Sequence, residues 1–325
     1  MAKVYIAGKI PAQANELLQE TDLTINTYDG EKLIDAETLK KSVSDADYLI
    51  TPLSTTVDGD ILDHAPKLKL IANFGAGTNN VDTDYAKQLG IPVTNTPKVS
   101  TVSTAESTTG LIIGLAHRIA EGDHLMRTTG FNGWAPLFFL GHELSGKTLG
   151  IIGMGQIGQA VAKRMHAFDM PILYTQRHQL SVSLETELGA KYVTQEELLK
   201  KSDVVTIHVP LNDSTRHLLG ADEFAQMKST ACLINAARGP IIDEVALANA
   251  LTNHVIAGAA LDVYEHEPEV SDELKSMKNV ILTPHLGNAT VEARNAMAKI
   301  VAENVIAASK GQTIKYIVNG VPSFN

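Results

Sequence analysis

The chain has 325 residues, 44% of them hydrophobic and 20% charged. That balance implies roughly two globular domains and excludes a disordered chain, a collagen and a coiled coil. A net charge of −10 without any basic run argues against nucleic acid as a partner, and the longest apolar runs, Leu111–Ala116 and Pro136–Leu140, fall short of the ~20 residues that span a bilayer.

The N-terminal stretch MAKVYIAGK alternates apolar and polar residues and lacks the apolar core of a signal peptide. With a single cysteine, Cys232, no intrachain disulfide can form, so a cytoplasmic location is expected. Short β-branched runs then follow at 4–8, 23–28, 48–51, 68–74 and 92–96, separated by helix-like stretches such as Ala12–Glu20 and Ala36–Ser44. This alternation predicts βαβ units and a parallel sheet. Ser103-Thr104-Ala105-Glu106 reads as a capping box opening a buried helix that ends near Glu121-Gly122, with an irregular segment to about 146. A second series of strands is expected at 149–153, 172–175, 203–209, 231–236, 255–263 and 279–284, and a last helix from about Thr290 to Ser309.

Two glycine motifs compete for a phosphate. Gly141 to Thr148 fits the P-loop expression, but Lys147-Thr148 runs into a strand where a P-loop requires a helix, so a turn is the better reading. Gly153-Met-Gly155-Gln-Ile-Gly158 has the correct setting, with the strand LGIIG before it and a helical pattern after it. Such glycines give a tight turn, backbone approach to a pyrophosphate and close helix packing, with the phosphates on the helix N-terminus. About 20 residues on, where an acid would bond ribose hydroxyls, stand Gln176, Arg177 and His178.

Three charged groups fall at or just past strand ends, where open α/β sheets bind ligands: Arg238 in INAARGPIID, Glu267 in LDVYEHEP and His285 in LTPHLGNAT. A cation, a carboxylate and an imidazole in one crevice can bind an anion, fix a tautomer and move a proton near neutral pH. Each has a plainer alternative: a helix-cap arginine, a solvated acidic loop and a hydrogen-bonded histidine at a strand end. The loop Asn73 to Gly77, small residues after a strand, fits either a plain glycine turn or a set of backbone amides open to a carboxylate.

These ordered motifs resemble the D-isomer-specific 2-hydroxyacid dehydrogenases, across nearly the whole chain. The segments Gly133-Trp134-Ala135-Pro136, Phe139-Leu140-Gly141 and Gly146 to Gly150 are similar to the glyoxylate/hydroxypyruvate reductase (glycerate dehydrogenase) branch. The resemblance implies an α/β fold of two Rossmann-like, flavodoxin-like domains with parallel sheets and an active-site cleft between them. It implies a substrate domain at 1–99 plus 288–325, a dinucleotide-binding domain at 100–287, and hinge helices after residues 100 and 290. The segment near 120–145 resembles the family's dimerisation arm, which implies a homodimer.

The resemblance further implies Arg238, Glu267 and His285 as catalytic residues and no metal. It implies coenzyme contacts at Gly153, Gly155, Gln156, Ile157, Gly158, Gln176, Arg177, His178, Val209, Pro210, Thr215, Ala236, Ala237, Arg238, Asp262, His285 and Gly287, and substrate contacts at Leu53, Ser54, Ala76, Gly77, Arg238 and His285. The expected reaction is reduction of a short 2-oxoacid, glyoxylate or hydroxypyruvate, to the D-2-hydroxyacid. The neutral Gln176 followed by Arg177 points to NADP over NAD, because an arginine can bond a 2′-phosphate that an acid would repel. D-3-phosphoglycerate dehydrogenase, a D-lactate-type enzyme and a coenzyme-sensing corepressor-like protein remain as alternatives.

Overall fold

The computed structural model describes residues 1–323; Phe324 and Asn325, the end of the expected range 288–325, lie outside the described residues. The chain divides into two units, Met1–Ser100 with Ala289–Asn325, and Thr101–Asn288. Among the described residues, no helix is long and apolar enough to cross a membrane.

The first unit is built on five parallel strands: β1 (Lys3–Ile6), β2 (Thr24–Thr27), β3 (Tyr48–Pro52), β4 (Leu70–Phe74) and β5 (Val93–Thr94), in the order β2-β1-β3-β4-β5. β4 is buried along its whole length, as expected of a parallel strand covered on both faces. One cover is the helix Val291–Ser309, whose Met297, Val301 and Val305 pack with Ala14 and Leu18 over Leu70 and Ala72. Burying side chains of this size contributes about 1.5–3 kcal/mol each. The expected start of that helix is accurate, since the Thr290 hydroxyl accepts from the Ala293 N–H as its cap. Past the helix the chain returns to the sheet edge. Ile317 bridges Thr94 in antiparallel fashion, and Asn319 accepts from Val93 N–H and donates to the Ile91 carbonyl. These bonds occupy backbone groups that an edge strand would leave open.

The second unit holds seven parallel strands: β6 (Leu149–Ile152), β7 (Ile172–Thr175), β8 (Ala190–Tyr192), β9 (Val204–Ile207), β10 (Cys232–Asn235), β11 (Gly258–Leu261) and β12 (Val280–Leu282). Their order is β12-β11-β10-β9-β6-β7-β8. The order reverses at β6, which pairs with both β7 and β9, so the loop after β6 lies at the switch point of the sheet. β8 is a strand that the sequence pattern did not announce, because three residues are too few to show a period.

Two local expectations are corrected. The helix after residue 100 begins at Thr101, so Ser103 and Glu106 lie inside it and form no capping box. The Ser103 hydroxyl instead donates to the Gly287 carbonyl, a partner remote in sequence. That helix also stops at Ala116, and Glu121-Gly122 belong to a separate helix, Ile119–Thr128. The break falls at Arg118, whose φ of 56° is left-handed and ends the regular turn.

Candidate active site

All six loops that follow β6, β7, β9, β10, β11 and β12 leave the same edge of the parallel sheet, and they carry the expected coenzyme and catalytic residues of this unit. After β6, the three glycines of the fingerprint have distinct surroundings. Gly153 has φ 97°, and a Cβ there would meet the His208 carbonyl oxygen at 2.6 Å. A Cβ on Gly158 would meet the Gly153 carbonyl at 2.3 Å, so any side chain would push the helix Gln156–His166 off the turn. Gly155 faces open space, which leaves room for a pyrophosphate against the first turn, where Gln156 and Ile157 sit. The Gly141–Thr148 stretch, by contrast, ends in a turn, Lys147 N–H to Leu144 carbonyl, that leads into β6.

Gln176 follows β7 and is engaged within the unit. Its Oε1 accepts from the Met154 N–H at 3.1 Å, and its Nε2 donates to the His178 carbonyl at 2.6 Å. The exposed Arg177 donates to Ser214 Oγ at 3.2 Å, from the loop after β9. In that loop, which follows Val209, the Thr215 hydroxyl donates to the Pro210 carbonyl at 2.7 Å and accepts from Asn212 N–H at 2.8 Å. Ser214 and Asn212 were not singled out in the sequence; Asn-Asp-Ser-Thr is the composition of any polar turn.

After β10, Ala236, Ala237 and Arg238 form a tight turn stapled by the buried Asn235. Its Oδ1 accepts from Ala237 N–H at 3.0 Å and its Nδ2 donates to the Arg238 carbonyl at 3.0 Å. The Arg238 guanidinium donates to the Ala237 carbonyl at 2.6 Å. Burial lowers its pKa, and the nearby Glu267 charge works in the opposite direction. The following Gly239 presses on the peptide of Tyr264 and Glu265, where a Cβ would lie 1.8 Å from the Tyr264 carbonyl oxygen. The turn that carries Arg238 is thereby seated on the segment that leads to Glu267.

Glu267 and His285 are brought together from the loops after β11 and β12. Glu267 Oε2 accepts from His285 Nδ1 at 3.0 Å, and Oε1 accepts from the Tyr264 N–H at 3.1 Å. Burial opposes the ionisation of Glu267, yet the hydrogen bond from His285, the Tyr264 N–H and the Arg238 charge hold its carboxyl below the usual glutamate value. His285 itself has φ 56°, an uncommon conformation for a residue with a side chain. Its turn is held from below by Asp262, which is fully buried. Asp262 Oδ1 accepts from Leu286 N–H at 2.7 Å and from the Thr283 hydroxyl at 2.6 Å, and Oδ2 accepts from Gly287 N–H at 2.8 Å. The Gly287 carbonyl then accepts from Ser103 and Thr104. Asp262, expected as a coenzyme contact, has both oxygens committed to the histidine turn.

In the other unit, Leu53 and Ser54 occupy a turn after β3, closed by Thr55 N–H to the Pro52 carbonyl, and Ala76 and Gly77 follow β4. The two segments touch: a Cβ on Gly75 would lie 2.3 Å from Leu53 Cδ2. Ser54 and Ala76 are exposed, and Gly77 is half-buried. Asn73, Asn80 and Asn95 hold these segments and were not read as site residues, because an asparagine near a turn is ordinary.

Residues 109–287 match the model of the D-isomer specific 2-hydroxyacid dehydrogenase, NAD binding domain. A Staphylococcus epidermidis protein named "Putative 2-hydroxyacid dehydrogenase" is 59% identical over 98% of this chain and 100% of its own. A glyoxylate reductase from Paecilomyes thermophila has a similar structure, with TM-score 0.85 and 33% identity over 98% of each chain. So has an NADPH-dependent glyoxylate/hydroxypyruvate reductase from Sinorhizobium meliloti, solved with NADP and malonate, with TM-score 0.84 and 31% identity over 100% of this chain and 98% of that one.

Proposed function

Because the chain belongs to the D-isomer specific 2-hydroxyacid dehydrogenase family, oxidoreductases that act on CH–OH groups, we propose that it reduces a short 2-oxoacid, glyoxylate or hydroxypyruvate, to the D-2-hydroxyacid. The observation that carries this reading is the Glu267–His285 pair at 3.0 Å, with the half-buried Arg238 close enough for its charge to act on Glu267. The loops after β6 and β7 fit a dinucleotide: Gly155 faces open space at the N-terminus of the helix Gln156–His166, and Arg177 lies at the end of β7. When bound there, the coenzyme supplies the hydride for the carbonyl carbon.

The remaining work falls to the protein. His285, with Nδ1 engaged by Glu267, presents Nε2 as the atom that gives a proton to the carbonyl oxygen. Glu267 keeps the ring oriented and favours its charged form. Arg238, half-buried, binds carboxylate and carbonyl oxygens and polarises the reacting bond. In the other unit, the amides of Ala76 and Gly77 receive a carboxylate, with Leu53 and Ser54 beside them. We assign the unit Thr101–Asn288 to the coenzyme and the other to the substrate.

NADP is the preferred coenzyme in this reading, since Gln176 places a neutral amide, and Arg177 a cation, where an acid would repel a 2′-phosphate. The chain is proposed to act as a homodimer through the segment near 120–145. There Trp134 is 84% and Leu137 85% exposed, and the helix Ile119–Thr128 has no buried residue. Sedimentation should show a dimer that Trp134→Asp with Leu137→Asp converts to monomer; an unchanged sedimentation coefficient removes the arm as the interface.

The test of function is a panel of glyoxylate, hydroxypyruvate, pyruvate and longer branched 2-oxoacids, each with NADPH and with NADH, followed by the fall in absorbance of the reduced coenzyme. Turnover is expected to be fastest with glyoxylate or hydroxypyruvate. Tight coenzyme binding without turnover of any 2-oxoacid would favour a coenzyme-sensing protein.

A further inference from the structure

In the loop after β4, three successive carbonyl groups are turned toward the protein. The Gly75 carbonyl accepts from Thr96 N–H at 2.9 Å. The Ala76 carbonyl accepts from Asn95 Nδ2 at 2.6 Å, and the Gly77 carbonyl from Asn73 Nδ2 at 2.7 Å. A trans peptide is planar, with its C=O and the next N–H pointing in opposite directions. Fixing these three carbonyls therefore turns the N–H groups of Ala76, Gly77 and Thr78 the other way. None of the three has a protein acceptor among the described residues. Successive free amides of this kind form a concavity suited to an anion.

Asn80 ties this array to the neighbouring turn. Its Nδ2 lies 3.0 Å from Asn73 Oδ1, 3.2 Å from the Pro52 carbonyl and 3.0 Å from the Thr55 carbonyl. Pro52 and Thr55 bracket Leu53-Ser54. Two amide protons thus serve three acceptors on two segments. Meanwhile Asn80 Oδ1 is buried without a partner, a cost that an ordinary turn residue would not carry.

We propose that Asn80, acting through Asn73, is the positioning residue that sets the 76–78 amides and the Leu53-Ser54 turn as one rigid receptor for the carboxylate of the oxoacid. Asn95 serves the same array from the other side. This rests on the reduction of 2-oxoacids proposed above. Asn80 touches no substrate atom; it fixes the direction of the groups that do.

The experiment compares wild type with Asn80→Ala and Asn80→His. The histidine Nδ1 is as many bonds from the backbone as the asparagine amide nitrogen, so it can restore one donor. For Asn80→Ala, KM for glyoxylate should rise about tenfold, with kcat within roughly threefold and coenzyme Kd unchanged, because a ground-state binding contact is lost. Asn80→His should recover most of that loss. In amide-resolved NMR spectra of the coenzyme-saturated protein, the non-reacting analogue oxamate should shift the Ala76, Gly77 and Thr78 signals in wild type and much less in Asn80→Ala. An unchanged KM and an unchanged oxamate titration would overturn the proposal. So would a joint loss of melting temperature, kcat and coenzyme affinity that Asn80→His fails to restore. If Asn80→Ala does not fold, Asn95→Ala, at a half-buried position, is held to the same criteria. Wild type that binds oxamate at these amides but turns over no 2-oxoacid would refute the proposed reaction and leave the receptor standing.

Discussion

His285 Nδ1 lies 3.0 Å from Glu267 Oε2, and His285 Nε2 has no protein partner among the described residues. One ring nitrogen is therefore fixed by a carboxylate and the other is left available for chemistry. His285→Asn keeps a polar side chain but removes the titrating ring. Turnover should fall about 10²–10⁴-fold with coenzyme affinity nearly unchanged. Near-normal rates at neutral pH would remove His285 as the proton donor, and coenzyme fluorescence titration provides the control.

Glu267→Gln tests the carboxylate. Burial opposes its ionisation, but the His285 hydrogen bond, the Tyr264 N–H and the Arg238 charge together hold the Glu267 carboxyl below the usual glutamate range, so it faces the imidazole as a carboxylate. Without that carboxylate, the ring loses the anionic partner that stabilises its proton-donating form. The pH optimum for reduction should move downward, as read from kcat/KM profiles. A superimposable profile would make Glu267 a loop carboxylate.

Arg238 is half-buried, its turn is stapled by Asn235, and its guanidinium donates to the Ala237 carbonyl. Arg238→Lys retains the charge but loses the planar two-pronged contact. Steady-state kinetics should show a large rise in KM for the oxoacid together with loss of kcat. A change confined to the coenzyme KM would move Arg238 out of the substrate's reach.

Coenzyme choice is tested at the end of β7. One charge-assisted bond contributes about 1.5–3 kcal/mol, roughly tenfold or more in preference. Wild type should show a higher kcat/KM with NADPH than with NADH, and Gln176→Asp with Arg177→Ala should reverse the order. Equal or better use of NADH by wild type would contradict the reading of Gln176 and Arg177.

Much was legible in the chain itself, because some constraints are local. The parallel α/β class follows from alternating apolar runs and helical periods, and the order strand, glycine turn, helix at Gly153–Gly158 needs no distant residue to be recognised. Thr290 caps its helix through a bond three residues away, and its position could be read directly. The capping box at Ser103 misled for the complementary reason: the local pattern was present, but a carbonyl at Gly287 competed for the hydroxyl and won.

What tertiary structure alone decided are the bonds that join residues far apart in sequence. Sequence placed Glu267 and His285 at strand ends, but only the adjacency of β11 and β12 sets their side chains at 3.0 Å. Asp262, expected as a coenzyme contact, is also the buried brace of the histidine turn, a role that no local pattern announced. Asn73 and Asn235 stood inside segments that the sequence singled out, but their own roles, like those of Asn80 and Asn95, went unread, since an asparagine reads the same whether it bonds water or a specific carbonyl. Its role is set by which backbone groups the fold leaves in reach, and a buried amide surrounded by them has no water to turn to.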